Sequence, residues 1–495
     1  MALPVQIYST AQVRQMEAAT VAAGTPGYTL MQRAGAAAWA LLRQRWPLAQ
    51  AVVVVAGPGN NGGDGLVLAR LARQSGIAVN VMLVADAQAL RGEAQQAFAD
   101  LSAADVSINA FDAAALMRAD VVVDALLGIG VRAPLRERWQ QVIAALNTCQ
   151  RPVLSLDIPS GLDPDLGHAL PAVHAAATIS FLGLKQGLFV GEGPEHAGEL
   201  FFDGLGVEDT APSARPALLR LTHEDLARVL PLRPRQSHKS QFGRVLIVGG
   251  GTGMPGAVRL AAEAALRVGA GLVTVASLPE HLGAVVGNRP ELMFHAVSEA
   301  GDVDAPLAVA DVVALGPGLG RGPWAKAVLA AVLAARRPEQ RLVVDADALN
   351  LIAAGHGPSR REDWVLTPHP GEAARLLDTD IAAVQGDRLA ALRALCERRG
   401  GTIVLKGATS LVGHEGEVPR LCDRGNPGMS VPGMGDVLTG AVAGLLAQTT
   451  QVFEATSAAV YAHAVAGDRC ARLGVRGMLA LEVAQELRAV LTQLS

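Results

Sequence analysis

Short β-branched runs alternate with amphipathic stretches through the first 200 or so residues of the chain. The run AVVVVA at 51–56 is apolar throughout and ends in a glycine loop, the pattern of a parallel strand buried on both faces. Residues 66–74 read as a helix and 78–84 as the next strand, with further strands at 120–124, 153–157, 178–182 and 199–202. Most connections are long enough for crossover helices, so the pattern is a repeated βαβ. Between 207 and 220 (VEDTAPSARPALLR) it dissolves into proline, serine and charge, which marks a linker. Alternation resumes with strands at 245–248, 272–276, 312–315, 342–345 and 402–405, and the chain closes on helices at 436–447, 455–473 and 479–491. The reading is two α/β domains, 1–214 and 215–495.

Composition narrows the class. The 495 residues are 50% hydrophobic, 18% charged and 3% aromatic, with 54 glycines, which excludes disorder and suits smooth strands, Ala-faced helices and glycine turns. A net charge of −4 supplies no global basic field for nucleic acid. The four cysteines (Cys149, Cys396, Cys422, Cys470) form no CxxC pair, so neither a disulfide framework nor a zinc site is expected and a reducing compartment fits. Mean hydropathy is +0.29. However, Arg259, Glu263 and Arg267 interrupt one of the longest apolar stretches, and 437–447 is too short to cross a bilayer. The first basic residue is Arg14 and no signal-peptide pattern is visible, so the expectation is a cytoplasmic protein with no membrane or nucleic-acid partner. An Ala-rich helical stretch, 325–335, is of the kind that hides in a homo-oligomer contact.

Candidate chemistry in the first half gathers at strand ends. GPGNNGGDG (57–65) sits between a strand and a helix and contains GxGxxG, which invites a Rossmann dinucleotide reading. Pro58 removes a backbone donor from that turn, and Asp64 puts a carboxylate where pyrophosphate would sit. A plain glycine turn with Asp64 as helix cap is the bland alternative. Asp124, Ser155, Asp157, Ser160 and Lys185 follow other strands of the same expected sheet, and parallel strand ends share the edge where ligands bind. Asn61, Asp124 and Ser160 offer hard oxygens to a small cation, and Asp157 with Lys185 makes an acid–base pair.

GPGNNGGDG, DALLGIG (124–130) and LDIPSGLDPDLG (156–167) resemble the NAD(P)H-hydrate epimerase domain, over nearly all of residues 1–205. The resemblance implies a Rossmann-like three-layer αβα fold. It places a hydrated nicotinamide nucleotide on Asn60, Asn61, Gly62, Gly63 and Asp64, on Gly128, Ile129, Gly130, Val131, Arg132, Ala133 and Pro134, and on Asp157. It also implies K+ at Asn61, Asp124 and Ser160, and interconversion of R and S forms at C6 of the hydrated ring, with Asp157 moving the proton and Lys185 in support.

In the second half, GNPGMSVPGMGD (425–436) precedes a helix. A glycine turn at a helix N-terminus presents free N–H groups to an anion, and Asp436 is placed to take a proton from a hydroxyl lying against a phosphate. Asp436 as an ordinary N-cap is the bland alternative. VLKGATS (404–410) is fit for nucleotide phosphates, TPHPGE (367–372) holds His369 in a rigid loop, and Asp345, Asp347 and Asn350 form either an acidic rim or a magnesium shell. His463, on a helical stretch, reads as core.

GxGD with a lysine–glycine loop resembles the ribokinase-like superfamily. GPG (316–318), VVDADALNLIA, LTPHPGE and GNPGM narrow the resemblance to the ADP-dependent NAD(P)H-hydrate dehydratases, over about residues 225–490. It implies substrate contacts at Ala257, Gly318, His369 and Asp436, and nucleotide contacts at Lys406, Gly407, Ala408, Thr409, Ser410 and Gly435. It also implies Mg2+ in this domain and ADP as phosphoryl donor. Ser240 and Pro432 depart from the family pattern. The whole-chain expectation is a repair enzyme acting on hydrated NADH and NADPH, releasing AMP and phosphate. The alternative is a small-molecule hydroxyl kinase fused to a nucleotide-binding or scaffolding module, and a Rossmann dehydrogenase is a third.

Overall fold

The computed structural model describes residues 3–104, 106–131, 133–207, 215–230 and 233–492. The chain divides into two compact units, Met1–Leu218 and Leu219–Ser495. The expected boundary at 214/215 falls at the edge of a stretch, 208–214, outside the described residues.

The first unit contains strands β1 (Gln6–Tyr8), β2 (Ala51–Ala56), β3 (Ala78–Leu83), β4 (Ser107–Ala110), β5 (Val121–Ala125), β6 (Val153–Leu156), β7 (Ala177–Phe181), β8 (Leu184–Lys185) and β9 (Glu199–Asp203). Seven of them form a parallel sheet in the order β4-β3-β2-β5-β6-β7-β9. Alternate residues along each strand enter different cores: Val52 and Val54 join helices Gly27–Arg45 and Asn60–Gln74 on one face, Val53 and Val55 join helix Glu137–Thr148 on the other. Burial on both faces explains why these strands read as continuous apolar runs. Chain order reverses between β2 and β5, so a crevice opens where the loops after these two strands part.

β1 pairs in parallel with the short β8, setting Tyr8 beside Lys185. The helix that follows, Thr10–Ala22, starts with a Ser9 capping box, and Thr10 N–H donates to Asp165 Oδ1 at 2.7 Å. Its buried Val13 and Met16 pack against Ile129 and Leu182. The sequence pattern gave no sign of this N-terminal strand and helix.

The second unit contains β10 (Leu218–Arg220, on the division), β11 (Arg244–Val248), β12 (Leu272–Ser277), β13 (Met293–Ala296), β14 (Val312–Leu315), β15 (Arg341–Val344), β16 (Trp364–Leu366), β17 (Thr402–Leu405), β18 (Ser410–His414) and β19 (Arg420–Cys422). The order β13-β12-β11-β14-β15-β16-β17 is parallel, and β18 and β19 extend it antiparallel. Val245, Ile247, Val312, Ala314 and Val343 join helices Pro255–Arg267, Met434–Leu446, Val452–Cys470 and Ala480–Thr492 in one core. Among the described residues no helix is long and apolar enough to cross a membrane.

Candidate active sites

At the first crevice, a Cβ on Gly57 would lie 1.9 Å from the Leu126 carbonyl oxygen, and one on Gly62 would lie 2.0 Å from that of Gly57. Backbone meets backbone there, so only glycine fits. The helix starts at Asn60 with Gly59 as its uncapped N-cap, five residues before Asp64 counted inclusively from Asn60. Asp64 is therefore not a cap: it is the fifth helical residue and faces a cavity of about 470 Å³. Asn60, Asn61, Gly128, Ile129, Gly130, Val131, Asp157 and Lys185 line the same cavity. Gly62 and Gly63 are buried in the first helical turn. Ala133 and Pro134 are exposed and outside the lining, and Arg132 lies outside the described residues.

Asp157 follows β6 in a left-handed conformation (φ 64°), which a non-glycine residue holds only where its surroundings compel it. Its N–H donates to Ile179 at 2.7 Å, which turns the side chain toward β7. Oδ1 accepts from the Lys185 ammonium and from Phe181 N–H, while Oδ2 has no hydrogen-bond partner among the described residues. Lys185 is 1% exposed and donates also to Phe181 O (2.7 Å) and Ser180 Oγ (3.2 Å), so its three hydrogens are all used. Two further carboxyls face this pair. Burial, then Asp157, push the Glu17 carboxyl up, and burial with Asp157 and Glu17 push Asp64 well up.

Asn61, Asp124 and Ser160 do converge. Ser160 donates its N–H (2.9 Å) and hydroxyl (2.5 Å) to the fully buried Asp124, and Asn61 Nδ2 donates to Leu127 O, which also lies 3.1 Å from Ser160 Oγ. Asn61 Oδ1 is buried with no partner. Burial pushes the Asp124 carboxyl up, and no salt bridge relieves it among the described residues. Asp124 accepts four hydrogen bonds but has no positive partner among the described residues, and with the orphaned Asn61 oxygen nearby the cluster fits a monovalent cation.

In the second unit, Gly433 (φ 89°) turns the chain into helix Met434–Leu446 and serves as its N-cap, with no side-chain cap. Asp436 is consequently in the first helical turn, not at the cap, and its carboxyl has no hydrogen-bond partner among the described residues. Burial raises it to about 7, helped by Asp345 and opposed by Lys406. A Cβ on Gly435 would come 3.4 Å from Lys406 Nζ, so the helix start lies directly on that lysine.

Lys406 donates to Asp345 Oδ1 at 2.8 Å and sits 3.8 Å from Glu372 Oε2. Burial alone would lower its pKa, but Asp345 and Glu372 hold it above the ordinary lysine value. Asp345 also accepts from Thr439 Oγ1 at 2.7 Å. The loop carrying Gly407, Ala408, Thr409 and Ser410 is braced by Arg388, whose guanidinium donates to the carbonyls of Leu405, Lys406 and Thr409 at 3.0–3.2 Å. His369 caps helix Pro370–Leu377: Nδ1 accepts from Gly371 N–H, which leaves the ring proton on Nε2, and burial lowers its pKa. Ala257 and Gly318 are neighbours, a Cβ on Gly318 reaching within 2.9 Å of Ala257 Cβ. His463 is buried as core, its pKa lowered by burial to about 4.

Asp345, Asp347 and Asn350 do not form a magnesium shell. Asp347 accepts from Gly320 N–H and Arg321, Asn350 accepts from Arg375, and Asp345 is held as above. No group of three or more His, Cys, Asp or Glu side chains placed to hold a metal occurs among the described residues.

A family model for NAD(P)H-hydrate dehydratase matches residues 245–489, and one for the YjeF-related protein N-terminus matches 27–187. Bifunctional NAD(P)H-hydrate repair enzymes of Coxiella burnetii and Escherichia coli are 45% and 41% identical to the chain, over 98% and 96% of it and 99% and 92% of their own lengths. The chain belongs to this repair-enzyme family. Its second unit has the ribokinase-like fold: a ribokinase-like superfamily protein from Enterococcus faecalis superposes with TM-score 0.53 at 34% identity, covering 57% of this chain and 98% of its own. Sequence reading missed Glu17, Glu372, Arg388 and Thr439. Glu17 lies ahead of the family match, and the other three act through contacts 17 to 94 residues away in sequence.

Proposed function

We propose that the chain repairs hydrated NADH and NADPH in two steps, one in each unit. The first unit interconverts the R and S forms at C6 of the hydrated ring. The second dehydrates the S form with ADP, releasing AMP and phosphate. The observation that carries the second step is Asp436: a carboxyl with no hydrogen-bond partner among the described residues, set by burial near neutrality at a helix N-terminus, beside Lys406. As a base it takes the C6 hydroxyl proton while that oxygen accepts the terminal phosphoryl of ADP. Phosphate then leaves from C6 far more readily than hydroxide, and elimination restores the dihydropyridine. Free N–H groups of the 433–436 turn and the Lys406 ammonium face the transferring group. The Lys406–Ser410 loop is the proposed phosphate seat, with Ala257, Gly318 and His369 toward the substrate.

In the first unit, Asp157 held by Lys185 is the proton-moving group, and residues 60–64 and 128–131 hold the nucleotide. Asn61, Asp124 and Ser160 are the residues that would hold K+, which supplies positive charge for an anionic substrate. Among the described residues of the second unit, Asp345, Asp347 and Asn350 are held by protein partners and offer Mg2+ no ready-made carboxylate shell.

The deciding experiment supplies hydrated NADH to the full chain with and without ADP and follows dihydropyridine absorbance and R/S composition. Repair predicts ADP-dependent recovery of NADH together with ADP-independent R/S exchange. A stable phosphoester product would instead establish a hydroxyl kinase.

A further inference from the structure

Epimerisation at C6 has a geometric requirement that Asp157 and Lys185 do not meet alone. The hydroxyl must leave one face of the ring and water must arrive on the other, so one group gives a proton while another takes one. Asp157 and Lys185 stand together at the sheet edge and are bonded to each other.

The cavity has another wall. Helix Thr10–Ala22 contributes Val13, Arg14 and Glu17 to its lining. That helix is fixed there by its packing on Ile129 and Leu182, and by the β1–β8 pairing that sets Tyr8 beside Lys185. Glu17 is partly buried, lines the cavity and has no hydrogen bond or ion pair among the described residues, so its carboxyl is uncommitted. The YjeF-related match begins at residue 27 and does not include it.

We propose that Glu17 is the second acid–base group of the epimerase site, facing the hydrated ring from the N-terminal helix while Asp157 faces it from the sheet. The proposal rests on the epimerase reading of this unit. In one direction the Glu17 carboxyl gives its proton to the C6 hydroxyl. The C6–O bond breaks, water leaves with the bonding pair, and the N1 lone pair forms a C6–N1 double bond. Water then adds at C6 from the other face, the π pair returns to N1, and the water's proton passes to Asp157. Solvent exchange resets both carboxyls, and the reverse reaction exchanges their roles, so atoms, charge and oxidation level balance.

The groups around Glu17 agree with an acid held above the ordinary carboxyl range. Asp157 from the end of β6, Asp64 from helix Asn60–Gln74 and Glu93 from helix Gly92–Ser102 face it as carboxyls. Burial, Asp157 and Glu93 push its pKa up, and only Lys185, already bonded to Asp157, and Arg14 on its own helix pull it down.

The test follows R/S exchange of hydrated NADH without ADP in the full chain, for wild type, Glu17→Gln and Glu17→Asp, across pH. Glu17→Gln should lower kcat by about 100-fold or more with KM changed less than about threefold, and should remove one limb of the pH profile. Glu17→Asp should recover at least about tenfold of that loss. Wild-type rate and pH profile in Glu17→Gln would overturn the assignment. So would equal losses in both variants with a raised KM, which is the signature of a wall rather than an acid. A wild-type chain with no R/S exchange would overturn the epimerase reading itself.

Discussion

Both units place a lysine–carboxylate pair at the carboxyl edge of a parallel sheet, and they use it in opposite ways. In the first, Lys185 gives its three hydrogens to Asp157, Ser180 and Phe181, so it is saturated and its partner Asp157 is the carboxylate that faces the cavity. In the second, Lys406 bonds the buried Asp345, which Thr439 also holds, and two ammonium hydrogens stay uncommitted among the described residues. The carboxyl placed to react, Asp436, is left out of the pair. On the proposed function, one lysine orients the proton-moving carboxylate, and the other is free to meet a phosphate beside the base. A saturated lysine suits proton shuffling on a neutral ring, and an unsaturated lysine suits charge arriving with a nucleotide.

Removing the unpaired carboxylate should have the largest effect. Asp436→Asn is expected to cut ADP-dependent dehydration by roughly 10²–10⁴-fold while ADP-independent R/S exchange stays intact. In wild type the dehydration rate should rise with pH through about 7, where Asp436 ionises, and Asp436→Asn should lose that limb. Steady-state kinetics across pH check both, and a variant with the wild-type profile would remove Asp436 as the base.

Breaking the pairs should separate them next. Lys406→Met strands Asp345, which is 2% exposed, and should cost about 3–5 kcal/mol of stability in the second unit. Lys185→Met strands Asp157, which is 15% exposed and opens on the cavity, and should cost about 1–3 kcal/mol. Denaturant titration of the two variants gives the comparison, and equal losses would mean that the pairs do not differ as described.

The smallest effect is a linkage. The folded-state pKa of Asp436, about 7, lies above its ordinary 3.8, so folding favours its protonated form and stability falls as pH rises between those values. The full difference corresponds to about 4 kcal/mol, and solvent screening at this partly exposed carboxyl roughly halves it, so Asp436→Asn should gain about 2 kcal/mol over wild type at pH 8 and close to nothing at pH 4. Thermal or denaturant melts at the two pH values would show it.

Much of this was legible in the sequence. The runs at 51–56, 312–315 and 402–405 coincide with β2, β14 and β17, because strands buried on both faces are written as unbroken apolar runs. The helix after β2 starts at Asn60, six residues before the 66 that the apolar pattern predicts, since its first turn is asparagine and glycine, residues with poor helix propensity that are there for backbone approach. The two-residue β8 and the three-residue β1 are too short to show a period. Asp157, Lys185, Asp436 and Lys406 could be singled out because each ends a strand or opens a helix. Glu17 could not, because its role depends on where a whole helix docks, and Glu372 and Arg388 find their partners only when distant segments arrive.

Arg388 has a thermodynamic consequence of its own. By holding three carbonyls of the 405–409 segment it shapes that loop before any nucleotide is present. Most of the conformational freedom the loop would otherwise surrender on binding is already gone in the folded chain. If the nucleotide phosphates seat there as proposed, their association should then carry a small ordering entropy. Loosening the brace would appear in a calorimeter as a larger entropic penalty before any loss of contact enthalpy.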